Sequence, residues 1–225
     1  MYDKPMKRKY ITIIVISIIF LILSAISLFY CYKENQKLRK IRKPFPIMTL
    51  ITLLMAVSIN EPVLYLALTC GLIGDLFLIS FDKRMFLAGL AFFLIEHLIN
   101  FYTLYRFTDL FNNYFYLIYG ILIVVFPLIA SIVLKKFAKP LFTITGGIYI
   151  ATLVMQIISS IYLTVVTGNN LLICYTMGYI LFLISDSLIA QKRFIAPFKK
   201  IQFLIMITYY AAQALIYIPL LFCII

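Results

Sequence analysis

Residues 171–190 read LLICYTMGYILFLISDSLIA, an apolar run that contains a single acidic residue, Asp186. Residues 62–80 read PVLYLALTCGLIGDLFLIS and contain Asp75 in a similar setting. A run of about 20 apolar residues has the length of a membrane-spanning helix. An acidic side chain inside such a helix costs roughly 2.5–3.5 kcal/mol on insertion scales and usually faces a pocket or pathway. We therefore expect the two aspartates to face each other across a pocket within the membrane.

The composition of the whole chain agrees with this interpretation. Hydrophobic residues make up 64% of the 225 positions and charged residues 12%, and the mean hydropathy is +1.07. Soluble domains are about half apolar and a quarter charged. Because the apolar runs leave no room for a soluble domain between them, residues 1–225 are predicted to form one all-α integral membrane domain.

The basic residues, the cysteines and the histidine limit the partners and cofactors. The net charge of +12 comes from Lys and Arg in short clusters between apolar runs. That distribution fits anionic lipid headgroups and the positive-inside rule better than nucleic-acid binding. The four cysteines show no metal-ligand spacing and His97 is the only histidine. We therefore expect no disulfide, no metal and no other cofactor.

Eight apolar segments are predicted to be membrane-spanning helices. A basic segment precedes the first, which is too long for the apolar part of an ordinary signal peptide and is interpreted as a retained span. The second is shorter than a full span. The predicted spans are residues 11–31, 47–59, 62–80, 85–105, 114–134, 141–165, 171–190 and 201–225.

The charge of the loops predicts the orientation in the membrane. Fifteen of the 20 Lys and Arg residues lie in the first, third, fifth and seventh loops. By the positive-inside rule these odd-numbered loops are cytoplasmic and both termini lie outside, although four basic residues before the first span oppose this. We expect a multi-pass membrane protein, located in the cell membrane if the host is bacterial.

A short internal repeat suggests how the spans are arranged. Lys43-Pro44 and Lys139-Pro140 each precede a span. In both cases the next span along the chain contains an aspartate, and Lys-Arg follows that aspartate a few residues later. This pattern predicts two parallel four-helix halves, about residues 10–106 and 114–225, around a central pocket. In that arrangement Asp75 and Asp186 lie at similar depth, in the cytoplasmic half.

Three of the eight acidic residues lie within predicted spans: Asp75, Glu96 and Asp186. Each of them could simply be a polar contact between helices, with no catalytic role. The two aspartates at matching positions also suit acid–base chemistry. Two neighbouring carboxyls do not both ionise readily, so that one donates a proton while the other stays charged.

Four other polar residues are candidates for a supporting role. His97 could orient an aspartate, shuttle a proton or simply pack, and contact between His97 and Asp75 is plausible. Ser185 adjoins Asp186, while Tyr209 and Gln213 lie one turn apart on one face of the last span. The sequence contains no G-x-S-x-G, no H-E-x-x-H and no Gly-rich phosphate loop.

Four short motifs between about residues 43 and 217 resemble those of the YhhN-like lysoplasmalogenase family. They are Lys43-Pro44; Gly74-Asp75 with Leu78, Phe86, Gly89-Leu90, Phe93 and His97; Gly178, Phe182, Ser185-Asp186-Ser187-Leu188-Ile189-Ala190 and Phe194; and Tyr209-Tyr210-Ala211-Ala212-Gln213. The chain departs from the family pattern at Ile99-Asn100, where we expect more aromatic character, and in its unusually basic first loop.

The resemblance implies an eight-helix membrane hydrolase that cleaves the vinyl ether bond of lysoplasmalogens. The products would be a fatty aldehyde and a glycerophospho-headgroup alcohol. The resemblance makes Asp75 and Asp186 the catalytic residues, without assigning which one donates the proton, and implies no cofactor. A lysophospholipid substrate and membrane lipids would be the partners. Six basic residues could hold the substrate phosphate or only determine the topology: Lys43, Lys83, Arg84, Lys139, Lys192 and Arg193.

Two other classes of function agree with the sequence. A proton-coupled transporter of a lipid or small molecule would also use paired intramembrane acids and a parallel repeat. Helix-breaking residues at matching depth would favour transport, but Gly71 and Gly74 do not match Gly146 and Gly147 in position. A non-catalytic lipid-binding protein would tolerate Asp→Asn at either aspartate.

Overall fold

The computed structural model describes residues 4–33, 36–57, 62–80, 82–106, 113–133 and 140–224. This part of the chain is nearly all helical, and no strand occurs in it. Its elements are α1 (Lys4–Tyr32), α2 (Gln36–Arg42), α3 (Phe45–Ala56), α4 (Pro62–Phe77), α5 (Lys83–Arg106), α6 (Asn113–Val133), α7 (Pro140–Thr167), α8 (Leu171–Ala190), a π-helical turn (Gln191–Ile195) and α9 (Ile201–Ile224). The predicted all-α fold is confirmed.

The eight predicted spans correspond to α1 and to α3 through α9. From α3 onward their ends lie within three residues of the predicted ones. Helix α1 begins earlier, at Lys4, because Lys and Arg favour helix and Pro5 is tolerated in the first helical turn. The short helix α2 in the first loop was not predicted. Its seven residues contain no glycine or proline, and Pro44 follows shortly after its end.

The helices have the surface of a membrane protein. In the described part of the chain, five helical segments are long and apolar enough to cross a membrane, and they lie in α1, α5, α7, α9 and α8 with the turn that follows it. Large aliphatic side chains point outward along the helices, as shown by Val165 of α7 at 78% exposure and Ile132 of α6 at 77%. Several polar side chains lie in the interior instead, where Asp75, Glu96 and His97 are each at most 1% exposed. The chain is therefore an integral membrane protein with a polar interior.

The packing order of the helices places α4 and α8 on either side of the interior. Helix α4 packs along α5, α8 packs along α9, and α5 contacts α7, which in turn contacts α8. Helices α1 and α3 close the remaining side against α9. In each proposed half the third and fourth spans therefore pack against each other, α4 with α5 and α8 with α9. The division into two parallel halves stays a prediction.

Helices α4 and α5 approach closely at a pair of glycines. A Cβ added to Gly74 would lie 3.2 Å from the carbonyl oxygen of Gly89 and 2.9 Å from the ring of Phe93. A side chain at either glycine would push the two backbones apart. This contact fixes the position of α4 against α5 at the residue before Asp75.

Candidate active site

A cavity of about 520 Å³ lies between the helix ends on the side of the odd-numbered loops. Helices α4, α5, α7, α8 and α9 all contribute side chains to its wall. Asp75 lies two residues before the end of α4, and Asp186 lies four residues before the end of α8. Both carboxyls line the cavity. The fold therefore brings the two sequence-predicted acids to one space.

Asp75 is 1% exposed, and both of its carboxyl oxygens accept from neighbouring side chains. Lys43 Nζ lies 2.8 Å from Oδ1, and the Tyr209 hydroxyl donates to Oδ2 at 2.8 Å. Lys43 also donates to the backbone oxygen of Asp75 at 3.2 Å. A carboxyl that accepts at both oxygens, one of them from an ammonium group, is stabilised as the carboxylate.

Asp186 is half-buried and has a different set of partners. The Tyr149 hydroxyl of α7 donates to its Oδ2 at 2.5 Å. Among the described residues no lysine, arginine or histidine forms a salt bridge with it. One aspartate of the cavity is thus bound to a cation, while the other is held by a neutral hydroxyl and has an oxygen available to the cavity.

His97 lies one layer behind the cavity and is fully buried. Its Nε2 is 3.1 Å from the Tyr149 hydroxyl. Because that hydroxyl gives its only hydrogen to Asp186, Nε2 must be the protonated nitrogen and donate to Tyr149. Nδ1 has no partner within the described ranges, as this tautomer allows. The suggested contact between His97 and Asp75 is not formed, because the imidazole reaches the other aspartate through Tyr149.

A second polar cluster lies behind Asp75. Gln213 Nε2 is 3.4 Å from the Tyr209 hydroxyl, which confirms that these two residues of α9 share a face. The same nitrogen lies 3.3 Å from Oε1 of Glu96, the third acid within a span. The Tyr217 hydroxyl donates to that oxygen at 2.8 Å and accepts from Asn100 Nδ2 at 2.9 Å.

Ser185 lies in the cavity wall, but its hydroxyl has a structural partner. It donates to the backbone oxygen of Ile205 at 3.1 Å and so ties α8 to α9. Of the other predicted site residues, Lys43 and Tyr209 also line the cavity, whereas His97 and Gln213 do not.

The mouth of the cavity is basic and one wall is aromatic. The Arg193 guanidinium carbon lies 4.2 Å from the centre of the Phe86 ring, and Lys192 donates to Gln202. The basic residues of the lining are Lys40, Lys43, Lys83, Lys192 and Arg193, and the phenylalanines are Phe86, Phe93, Phe142 and Phe194. Of the remaining basic residues in the predicted cluster, Arg84 is exposed and off the lining, and Lys139 lies outside the described residues.

Tyr149 is the main site residue that the sequence interpretation missed. The signal that could have found it is the spacing of polar residues along α7. Tyr149, Thr152, Gln156 and Ser160 recur at helical intervals in an otherwise apolar segment, and all four are buried. Such a polar stripe marks the side of a membrane helix that faces the protein interior.

No group of three or more His, Cys, Asp or Glu side chains in the described ranges is arranged to hold a metal ion. The side chains around the cavity are instead suited to proton transfer. A carboxylate and a second carboxyl face one cavity, each supported by a tyrosine, with basic groups at the entrance.

Comparison with known proteins gives a family for the chain. The model of the YhhN family matches residues 38–220, which include every side chain of the site described above. No curated protein and no solved structure matches the chain.

Proposed function

The chain belongs to the YhhN family, and from that membership and the paired carboxyls we propose that it is a lysoplasmalogenase-like hydrolase. In this proposal it cleaves the vinyl ether bond of a lysoplasmalogen to a fatty aldehyde and a glycerophospho-headgroup alcohol. The observation that supports the proposal most directly is the unequal environment of two acids that line the same cavity.

The unequal environments suggest different roles for the two aspartates. Asp75 is bound to Lys43 and Tyr209 and is the ionised partner. Asp186 accepts one bond from Tyr149 and has no salt bridge within the described residues, so it is the residue that holds a proton toward the cavity. Pairs of carboxyls in unlike surroundings divide the roles of acid and base in this way.

The first chemical step is the slow one. Asp186 gives its proton to the β-carbon of the vinyl ether, and the carbon–carbon double bond becomes an oxocarbenium ion. The carboxylate of Asp75 stabilises this developing cation. It then takes a proton from a water molecule as that water adds to the cationic carbon, which gives a hemiacetal.

The second stage restores both residues. Asp75 returns its proton to the ether oxygen as the carbon–oxygen bond of the hemiacetal breaks. Asp186 takes the hydroxyl proton, so that the aldehyde and the alcohol leave while the acids regain their starting states. One water molecule is consumed in the cycle, and every proton is accounted for by the two carboxyls.

The depth and charge of the cavity suit a lysophospholipid. The vinyl ether of such a lipid lies beside its glycerol, close to the phosphate and near the membrane surface. Both aspartates lie near helix ends, and Lys40, Lys83, Lys192 and Arg193 line the entrance next to them. The basic groups would hold the phosphate while the apolar wall receives the alkenyl chain.

The test is the release of fatty aldehyde from a 1-alkenyl lysophospholipid by the purified protein. Asp75→Asn and Asp186→Asn are both expected to abolish release, since each removes one of the two proton carriers. Asp82→Asn is the matched control, because Asp82 is exposed and caps α5 with a hydrogen bond that asparagine also makes.

Folding of each variant is checked by thermal unfolding in detergent. Loss of aldehyde release in both site variants with the control intact supports the proposal. A folded wild-type protein that releases no aldehyde from ethanolamine or choline lysoplasmalogens would reject it for these substrates. Proton-coupled uptake into vesicles would then be measured next.

A further inference from the structure

Glu96 is an acid within a span that the proposed reaction does not use. It is 1% exposed and lies off the cavity lining. Its Oε1 accepts from Tyr217 and from Gln213. Its Oε2 has no hydrogen-bond partner among the described residues and packs against Gly71, where an added Cβ would lie 2.5 Å from that oxygen. A charged carboxylate in that position would leave one oxygen without a donor, at a large cost in free energy.

The hydrogen bonds from Glu96 to Asp75 have a fixed direction. Tyr209 gives its only hydrogen to Asp75, so its oxygen must accept from Gln213 Nε2. That nitrogen has two hydrogens, and the other one is donated to Glu96. The amide oxygen of Gln213 has no partner within the described part of the chain. The orientation of this amide is therefore set by Glu96.

We propose that Glu96 is a positioning residue that acts in its neutral form. By accepting from Gln213 it keeps the amide nitrogen directed at Tyr209, and this in turn keeps the Tyr209 hydroxyl directed at Asp75. Without the acceptor, the amide turns over and its oxygen takes the Tyr209 hydrogen. Asp75 then loses one of its two donors. The consequence for catalysis rests on the proposed function, whereas the consequence for Asp75 itself does not.

The kinetic test compares two substitutions at the same position. Glu96→Gln keeps an oxygen acceptor and the size of the side chain, and is expected to retain kcat within about threefold. Glu96→Leu removes the acceptor and is expected to lower kcat about tenfold, the effect of losing one hydrogen bond to a charged group. KM should change little, because Glu96 does not line the cavity. Tyr119→Phe is the control, since it removes a tyrosine hydrogen bond to Thr152 away from both aspartates.

The spectroscopic test needs no substrate. The carboxylate stretching band of Asp75 is identified in the infrared spectrum by its loss in Asp75→Asn. It is expected to shift in Glu96→Leu and to stay in place in Glu96→Gln. Gln213→Met removes the amide whose oxygen would take the Tyr209 hydrogen, so it should leave the band in place and should cancel the shift when combined with Glu96→Leu. Glu96→Met, which also lacks an oxygen acceptor, replaces Glu96→Leu if that variant does not fold.

Two results would overturn the proposal. One is an unchanged Asp75 band in folded Glu96→Leu or Glu96→Met protein. The other is a Glu96→Gln variant as impaired as Glu96→Leu, which would mean that the ionisable group itself is needed. If the wild-type protein releases no aldehyde, the proposed function fails, but the infrared comparison still decides whether Glu96 positions Asp75.

Discussion

Lys43 and Asp75 form a buried ion pair that joins three helices at one corner of the cavity. The lysine lies in the turn before α3, the aspartate lies near the end of α4, and Nζ is 2.8 Å from Oδ1. The backbone oxygen of Lys43 accepts from the hydroxyl of Tyr210 in α9. The neighbouring Tyr209 donates to the aspartate. The lysine that stabilises Asp75 as the carboxylate therefore also holds the turn before α3 against α4 and α9.

Removal of Lys43 should therefore reduce stability as well as activity. The side chains of the pair are 12% and 1% exposed, and breaking a buried ion pair on one side costs about 3–5 kcal/mol. Lys43→Met is expected to lower the unfolding temperature and to abolish most aldehyde release. The double variant Lys43→Met with Asp75→Asn should recover much of the stability but no activity. A single variant as stable as the wild type would contradict this account.

Loss of the Tyr149 hydroxyl should slow the reaction without abolishing it. It donates to Asp186 and accepts from His97. Tyr149→Phe removes the donor and is expected to lower kcat about 10- to 100-fold, the effect of losing one hydrogen bond to the carboxylate that Asp186 becomes when it gives up its proton. Tyr119→Phe, which removes the hydroxyl bound to Thr152, is the control and should stay near the wild-type rate.

A prediction for His97 follows from its tautomer. The ring donates from Nε2 to Tyr149, while Nδ1 has no partner in the described residues. His97→Gln keeps an N–H donor and should retain more activity than His97→Leu, which keeps none. Steady-state kinetics on both variants, with unfolding measured alongside, tests this. Equal loss in the two would mean that the ring acts by its shape or by exchanging a proton.

The helices and the two aspartates could be predicted from the sequence because both signals are local. Long apolar runs give the spans, and an acid within such a run is conspicuous. The partners of these acids are not local: Tyr209 is 134 residues from Asp75, and Tyr217 is 121 residues from Glu96. To predict which side chains pair, one must know how each helix is rotated about its own axis. In a membrane helix apolar residues face both lipid and interior, so hydrophobic periodicity determines that rotation poorly.

The contact between α6 and α7 makes a strong prediction about two adjacent glycines. A Cβ added to Gly147 would lie 2.4 Å from the Cα of Pro127, whereas one added to Gly146 would meet nothing within 4 Å. Gly147→Ala must push backbone against backbone and should destabilise the protein by about 1–3 kcal/mol. Gly146→Ala should be neutral or stabilise by up to about 1 kcal/mol, the helix preference of alanine over glycine. Thermal unfolding of the two variants compares them, and equal effects would contradict the observed packing.

The basic mouth should act on substrate binding rather than on the chemical step. Lys83 and Lys192 line the entrance, while Lys37 on α2 is exposed and off the lining. Lys83→Gln combined with Lys192→Gln is expected to raise KM for the lysoplasmalogen about tenfold with kcat little changed, because the phosphate is held equally in the ground state and the transition state. Lys37→Gln is the matched control and should leave KM unchanged.

A substrate without phosphate separates phosphate binding from a general loss of structure. Alkenylglycerol keeps the vinyl ether but has no anionic group, so its kinetics should be the same in the double lysine variant and in the wild type. Added salt should raise KM for the lysoplasmalogen in the wild type, since it screens the exposed charges at the mouth, and should have less effect in the variant. If the variant impairs both substrates equally, the lysines support the fold of the entrance and do not bind the phosphate.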